Sequence, residues 1–201
     1  MGFLSVLGMA QRLVAERVSP GDAVVDATCG GGVDTRFLAG LVGPHGIVYG
    51  FDVQPEALAR TRGRLSPLAA EGRLPGLRLV LGSHSLMAEH VDRALHGRIS
   101  AVMFNLGFLP GGETDKTVIS RPETTLPALD ASLALLRPGG VLTAVLYPGH
   151  PGGRQEAEAV EAWAGALPQS LGQAMLYRMA QKPDAPYLVA AEKKAAPVPA
   201  E

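Results

Sequence analysis

Acids and glycines alternate over one short stretch of this 201-residue chain, Asp26-Ala27-Thr28-Cys29-Gly30-Gly31-Gly32-Val33-Asp34-Thr35. Apolar Val24 and Val25 lead into it, and Val33, Phe37, Leu38 and Leu41 follow at helical spacing. The pattern predicts strand, tight turn and helix, the place where an open α/β sheet offers backbone N–H groups to a ligand. Glycine allows positive φ in such a turn and lets the backbone come close to a bound molecule. Asp26, at the predicted strand end, suits a ligand that carries an ammonium group.

Two ligand classes use a turn of this kind. A dinucleotide site wants G-x-G-x-x-G, with the third glycine letting the helix pack close while its N-terminus holds a pyrophosphate. Here Gly30-x-Gly32 runs on into Val33, Asp34 and Thr35, so that glycine is missing. Asp34 also adds a negative charge where a pyrophosphate would lie. S-adenosylmethionine (SAM) has an ammonium group, a cationic sulfur and no phosphate. The spacing Asp26-x-x-x-Gly30-x-Gly32 resembles the acid-x-G-x-G-x-G loop of class I methyltransferases, with Thr28 at the first glycine position. NAD, and a glycine turn with no ligand, are the competing readings of the turn alone.

Asp52 ends a second apolar run, Ile47 to Asp52, at 20 positions beyond Gly32. That is close to the offset at which an acid meets ribose hydroxyls in nucleotide-binding α/β folds. Helix capping before Pro55 is the alternative. Ser83 and His84 follow a third run, Leu77 to Leu81, where they could meet an adenine edge or cap a helix. After a fourth run, Ile99 to Phe104, comes Asn105-Leu106-Gly107-Phe108, which resembles the N-P-P-Y/F tetrapeptide of amino-group methyltransferases with both prolines replaced. In that motif an amide oxygen and a backbone carbonyl accept hydrogen bonds from the target amine, and an aromatic ring stacks on its base. Asn105 and Phe108 keep both roles available; a strand-end turn is the other reading of Asn105. His150, after a fifth run, could relay a proton or be structural. Thr124 and Thr125 could reach a substrate or cap their helix, and Cys29 is read as packing rather than as a nucleophile.

The elements that must hold these residues alternate. Phe3 to Val18 reads as a helix with Leu4, Leu7, Leu13 and Val14 apolar, ended by Pro20-Gly21. Ala23 to Ala27 is the first strand; Ala57, Leu58, Thr61, Leu65 and Leu68 mark a helix after the second. Pro122 to Leu136 reads as a helix with Leu126, Leu129, Leu133 and Leu136 on one face. Arg137-Pro138-Gly139-Gly140 ends it before a strand from Val141 to Tyr147. Glu156 to Leu167 is a further helix, with Leu171 to Met179 and Tyr187 to Ala190 as closing strands. The expectation is α/β: a doubly wound, mostly parallel, seven-stranded sheet, Rossmann-like, with an antiparallel last strand. One domain is expected over 1–194 and a disordered tail over 195–201.

Composition narrows the class. Hydrophobic residues make up 47% and charged ones 18%, ordinary for a globular protein, and one cysteine allows neither an internal disulfide nor a zinc cluster. No run reaches the ~20 apolar residues of a spanning helix, and no signal peptide is evident, so the expectation is cytoplasmic with no membrane partner. A net charge of −1 gives no global pull on nucleic acid. Any RNA contact must come from local clusters such as Arg60, Arg62 and Arg64 with Arg73 and Arg78, or Lys182, Lys193 and Lys194; a solvated basic face is the plainer reading of each. A homodimer pooling two modest basic faces is one arrangement left open.

In order along the chain stand D-A-T-C-G-G-G-V-D-T at 26–35, G-F-D-V-Q at 50–54, F-N-L-G-F-L-P-G-G at 104–112, E-T-T at 123–125 and Y-P-G-H-P-G-G at 147–153. Together they resemble the small bacterial family labelled rRNA methylases, whose members act as tRNA 5-aminomethyluridine methyltransferases. The family's C-G-N-G-H-D-T reads Cys29-Gly30-Gly31-Gly32-Val33-Asp34-Thr35 here, so Gly31 and Val33 replace an Asn and a His, and Phe108 replaces a common Tyr. The resemblance implies SAM as cofactor and the anticodon loop of tRNA as partner. It implies Asp26, Thr28, Cys29, Gly30, Gly32, Asp34 and Thr35 around the methionine end and Asp52 and Gln54 at the ribose. Ser83 and His84 fall at the adenine, Asn105 and Gly107 also at the cofactor, Asn105 and Phe108 at the substrate, and His150 and Thr125 at the rim. Gly111 to Ser120 is expected to be a lid. Methylation of rRNA or another amine, and SAM binding without catalysis, are the alternatives.

Overall fold

The computed structural model describes residues 2–107, 119–182 and 184–195. Phe108, most of the expected lid and the tail beyond 195 lie outside them.

Short apolar runs bounded by turns become strands, buried on both faces in the middle of the sheet as a parallel sheet between helix layers requires and more exposed at its edges, β3 and β6. These are β1 (Ala23–Asp26), β2 (Ile47–Asp52), β3 (Gly76–Leu81), β4 (Ile99–Asn105), β5 (Leu136–Leu146), β6 (Gly172–Tyr177) and β7 (Tyr187–Lys193). They form one sheet in the order β3-β2-β1-β4-β5-β7-β6. Pairing is parallel from β3 through β5, while β7 runs antiparallel to both β5 and β6, as the helix-free connection between the last two strands predicts. Strand order reverses direction between β1 and β4. Ligands of open α/β sheets bind at the carboxyl ends beside such a point.

Alternate side chains feed two cores. Val25, Tyr49, Phe51, Val102, Phe104 and Leu142 pack toward α4 (Met87–His90), α5 (Pro122–Leu135) and α6 (Gly153–Gly165). Val24, Val48, Ala101, Met103, Val141 and Leu188 pack toward α1 (Val6–Ala15), α2 (Val33–Val42) and α3 (Pro55–Ala70). Each fully buried Leu or Val is worth about 1.5–3 kcal/mol, so the two cores fix the sheet's carboxyl edge firmly.

Some boundaries differ from the periodicity. α1 is shorter than Phe3 to Val18, because the Ser5 hydroxyl accepts from Gly8 N–H and caps its start. Leu4 and Leu7 are exposed and the buried side is Ala10 and Val14. In α2 the buried face is Thr35, Leu38, Ala39 and Val42; Val33 points to solvent. In α5 it is Thr125, Ala128, Leu129, Ser132 and Leu135, with Leu126 and Leu133 only partly covered. Arg137-Pro138-Gly139-Gly140 is not a loop before the strand but an irregular stretch inside β5. Pairing jumps from Ile99↔Leu136 to Ala101↔Val141 across it. Gly139 at φ 73° and Gly140, whose absent Cβ would stand 2.9 Å from the Arg137 carbonyl, make the bulge possible.

Candidate active site

A cavity of about 1090 Å³ opens over the carboxyl edge of the sheet, lined by the ends of β2 and β4 and by the segments that follow β1 to β5. That is the upper end of the range for small-molecule sites.

On one side the glycine turn is held by carboxylates. Asp26 is 1% exposed and does not line the cavity, contrary to expectation. Its oxygens accept from Thr28 N–H (3.1 Å) and the Thr35 hydroxyl (2.6 Å), so it shapes the turn rather than meeting a ligand. Burial, with the charge of Asp34 added, raises its pKa to about 7 against the opposing bonds from Thr35 and Thr28. Of the two acids flanking the turn, the one that lines the cavity is Asp34, which accepts from Gln11 Nε2 at 3.2 Å. Burial pushes its carboxyl above the ordinary range, Gln11 opposing. A cation placed there would favour its charged form.

Gly30 (φ 52°) donates its N–H to Asp52 Oδ2 at 2.9 Å, and Gln54 N–H donates to Oδ1 at 2.9 Å. Each oxygen keeps acceptor capacity, and Asp52 lines the cavity with Gln54. Gln54 is also the N-cap of α3 with Pro55 at its first turn, so the capping and the ligand readings share one segment. Gly32 (φ 75°) does not line the cavity; a Cβ there would stand 2.8 Å from Thr61 Cα, so its smallness lets α3 close on the turn. Cys29 lines the wall but is buried, with Sγ against Gly50, and burial raises its thiol far above the ordinary range, which makes it inert as a nucleophile.

Beyond β3, Ser83 lines the cavity while its hydroxyl accepts from Ser85 N–H at 3.2 Å. His84 packs edge-on to Phe104, with ring centroids 5.6 Å apart. Burial lowers its pKa to about 4, the Ala27 backbone opposing, so it is neutral at pH 7. His84 lines the cavity, and its buried Nε2 has no hydrogen-bond partner among the described residues.

Across the cavity, Asn105 N–H donates to the Thr28 hydroxyl at 2.8 Å, tying the end of β4 to the turn after β1. Tyr147, on the same wall, has its hydroxyl pKa raised by burial and by Asp34, with the Asn105 side chain opposing. Gly107 lies at φ 137°, and a Cβ on it would be 3.3 Å from His150 Nε2. His150 lines the cavity and its Nδ1 lies 2.9 Å from the Pro151 carbonyl. Thr125 does not reach the cavity: it is fully buried and its hydroxyl donates to Glu156 at 2.7 Å. Thr124, one residue earlier on α5, lines it instead.

Several lining residues give little sign of themselves in the sequence. Tyr147 lies in the Y-P-G-H-P-G-G motif, where the histidine is the more obvious candidate. Gln11, which does not line the cavity but holds Asp34, gives no signal, since α1 carries no motif. Arg36, Arg60, Arg64 and Arg121 also line the cavity, four arginines against Asp34 and Asp52. Arg64 Nε donates to the Gly31 carbonyl at 2.5 Å.

The residues present fit SAM. Acids at two depths, the glycine turn and the unsatisfied His84 nitrogen match an ammonium, a backbone approach, ribose hydroxyls and a polar base edge. Known proteins agree with this architecture. A family model described as "Putative rRNA methylase" matches residues 48–192. A chloroplastic tRNA (mnm5s2U34)-methyltransferase of Arabidopsis thaliana is 40% identical over 177 residues, 86% of this chain and 63% of that one, so the chain spans less than two thirds of that relative. The Clostridium thermocellum structure described as a "putative rRNA-methylase" superposes with a TM-score of 0.87 at 38% identity, covering 96% and 100% of the two chains. A "putative methyltransferase" of Streptococcus mutans, solved in complex with SAH, gives a TM-score of 0.81 at 32% identity over 96% and 99%. The sheet is that of the class I methyltransferase fold, and the chain belongs to the rRNA methylase family.

Proposed function

We propose that this chain is a SAM-dependent N-methyltransferase that converts 5-aminomethyluridine to 5-methylaminomethyluridine at the tRNA wobble position. The observation that carries it is that Asn105 and Tyr147 line one cavity with Asp34, Asp52 and the glycine turn. The tRNA methyltransferase relative supports the substrate class.

SAM, when bound, supplies a methyl group activated by positive sulfur. The chain's own work is to orient an amine with a free lone pair and to keep water out. The Asn105 side-chain oxygen and a backbone carbonyl of the same turn accept the amine's N–H bonds, which leaves its lone pair free for the methyl group. A methylated amine would have to shed one proton, and His150 at the rim is the group in place to receive it. Arg36, Arg64 and Arg121 at the mouth meet the RNA backbone, a local basic field on a chain of net charge −1. Action in the cytoplasm belongs to the same proposal.

Purified enzyme, SAM and tRNA carrying 5-aminomethyluridine, followed by nucleoside mass analysis, test it. Gain of one methyl on that nucleoside is expected. Methylation of ribosomal RNA in the parallel reaction, the reading that the family's description favours, with tRNA unchanged, would overturn the substrate. SAM binding by calorimetry with no product on either RNA would leave a cofactor-binding module.

A further inference from the structure

Glu156 is a buried acid that methyl transfer does not use. It stands in the first turn of α6 and is 2% exposed. Ionised carboxylates are costly to bury unless hydrogen bonds satisfy them. Two hydroxyls do so here: Thr125 donates to Oε1 at 2.7 Å and Ser120 to Oε2 at 2.6 Å. The N-terminus of α6 adds favourable dipoles.

The chain of bonds continues into the active site. Ser120 Oγ accepts from Gly107 N–H at 2.8 Å, and Ser120 N–H donates back to the Gly107 carbonyl at 3.0 Å. Gly107 is two residues from Asn105, at a φ of 137° that a side chain would resist. The start of α6 is also pressed onto the segment holding Tyr147 and His150. A Cβ on Gly153 would stand 2.1 Å from the Tyr147 carbonyl and 2.8 Å from His150 Nε2. Segments 105–107 and 119–125 are therefore tied to one carboxylate, and 147–153 packs against the start of the helix that carries it.

We infer that Glu156, acting through Ser120, is a positioning residue: it fixes the Gly107 peptide and so the place at which Asn105 holds the acceptor. That the acceptor is an amine rests on the function proposed above; the clamp itself does not.

Ser120→Ala removes the relay with little loss of volume, and Ser120→Thr keeps the hydroxyl. In methyl transfer to tRNA, S120A is expected to lower kcat roughly 10- to 100-fold, the scale of a misplaced reacting group. Its Kd for SAM should stay within about twofold of wild type, and S120T should recover most of the rate. A kcat for S120A within about twofold of wild type overturns the inference, as does a loss of SAM affinity equal to the loss of rate. Hydrogen exchange of the peptide spanning 103–107 reads the clamp without any RNA. Exchange roughly tenfold faster in S120A and in Glu156→Gln, and near wild type in S120T, is expected; unchanged exchange in both overturns the clamp. If wild-type enzyme leaves tRNA unmethylated while exchange behaves as expected, the substrate assignment fails and the clamp stands.

Discussion

The two halves of the cavity are built in opposite ways. The half formed by the ends of β1 and β2 is backbone held by carboxylates: Asp26 on Thr28 and Thr35, Asp52 on Gly30 and Gln54. Three of these four bonds close over short sequence distances, and the glycines are placed by steric need. The half formed by the ends of β4 and β5 is side chains holding loops together across long distances: Ser120 and Thr125 with Glu156. The first half is a preformed cradle for a ligand of fixed shape. In the second, removal of a hydroxyl shifts a loop without touching the cradle, so damage there should appear in kcat and damage in the cradle should appear in cofactor affinity or stability.

The sharpest break between the halves is Asn105→Ala. Turnover should fall roughly 100-fold or more, because orientation of the acceptor is lost, while calorimetry finds SAM affinity near wild type. Unchanged turnover removes Asn105 from the mechanism. Asp52→Ala is the mirror image. Loss of a charged acceptor costs about 1.5–3 kcal/mol, so the Kd for SAM should rise roughly 10- to 100-fold while kcat at saturating SAM stays within a few-fold. If kcat falls and Kd does not, the division of labour is wrong.

Gly32→Ala asks whether the cradle is as rigid as its packing implies. A Cβ 2.8 Å from Thr61 Cα, at φ 75°, must push α3 outward. Overpacking of this kind costs about 1–3 kcal/mol, which for a chain of this size lowers Tm by roughly 2–4 °C per kcal/mol. A Tm within a degree of wild type would mean that α3 gives way freely. Smaller again is the effect of the rim. Arg36→Gln or Arg64→Gln should raise KM for tRNA a few-fold with kcat and SAM affinity unchanged, and the log–log salt dependence should flatten by about 0.7–0.9 for each phosphate that the chain no longer neutralises. A salt slope equal to wild type would take both arginines out of RNA binding.

The same asymmetry explains what could be read from residues alone. The sheet, its order of helices and strands and its antiparallel β7 follow from apolar runs punctuated by Gly and Pro, which are local signals. The cradle was legible for the same reason, because Asp26, Gly30, Gly32, Asp34 and Asp52 sit at spacings that one βαβ unit fixes. Their individual jobs were not. Asp26 and Gly32 look like ligand contacts in the sequence, yet burial turns one into a brace and close helix packing turns the other into clearance. On the opposite side, Thr124 and Thr125 are adjacent and chemically equal; only the rotation of α5 sends one to the cavity and the other to Glu156. Glu156 itself sits in a run of charged and small residues on α6 that reads as solvent-facing. Hydrogen bonds spanning 31 and 36 residues leave no local trace.

The least disruptive test bears on the brace. Asp26 is held protonated more readily in the folded chain than in the unfolded one, its pKa moving from 3.8 up to about 7 under burial and the charge of Asp34. In the native state it binds a proton that the unfolded state has already released between about pH 4 and 7, so over that window its contribution to stability declines as pH rises. Asp26→Asn keeps the shape and one acceptor while removing the titration. His84, pushed down to about 4, works in the other direction over the same range but is common to both proteins and cancels in their difference. The Tm of D26N minus that of wild type should therefore climb steadily from about pH 4.5 to about 7.5 and level off above it. A difference that stays flat across that range would mean Asp26 is ionised throughout, and that the glycine turn rests on a charged brace able to attract the ammonium end of a ligand after all.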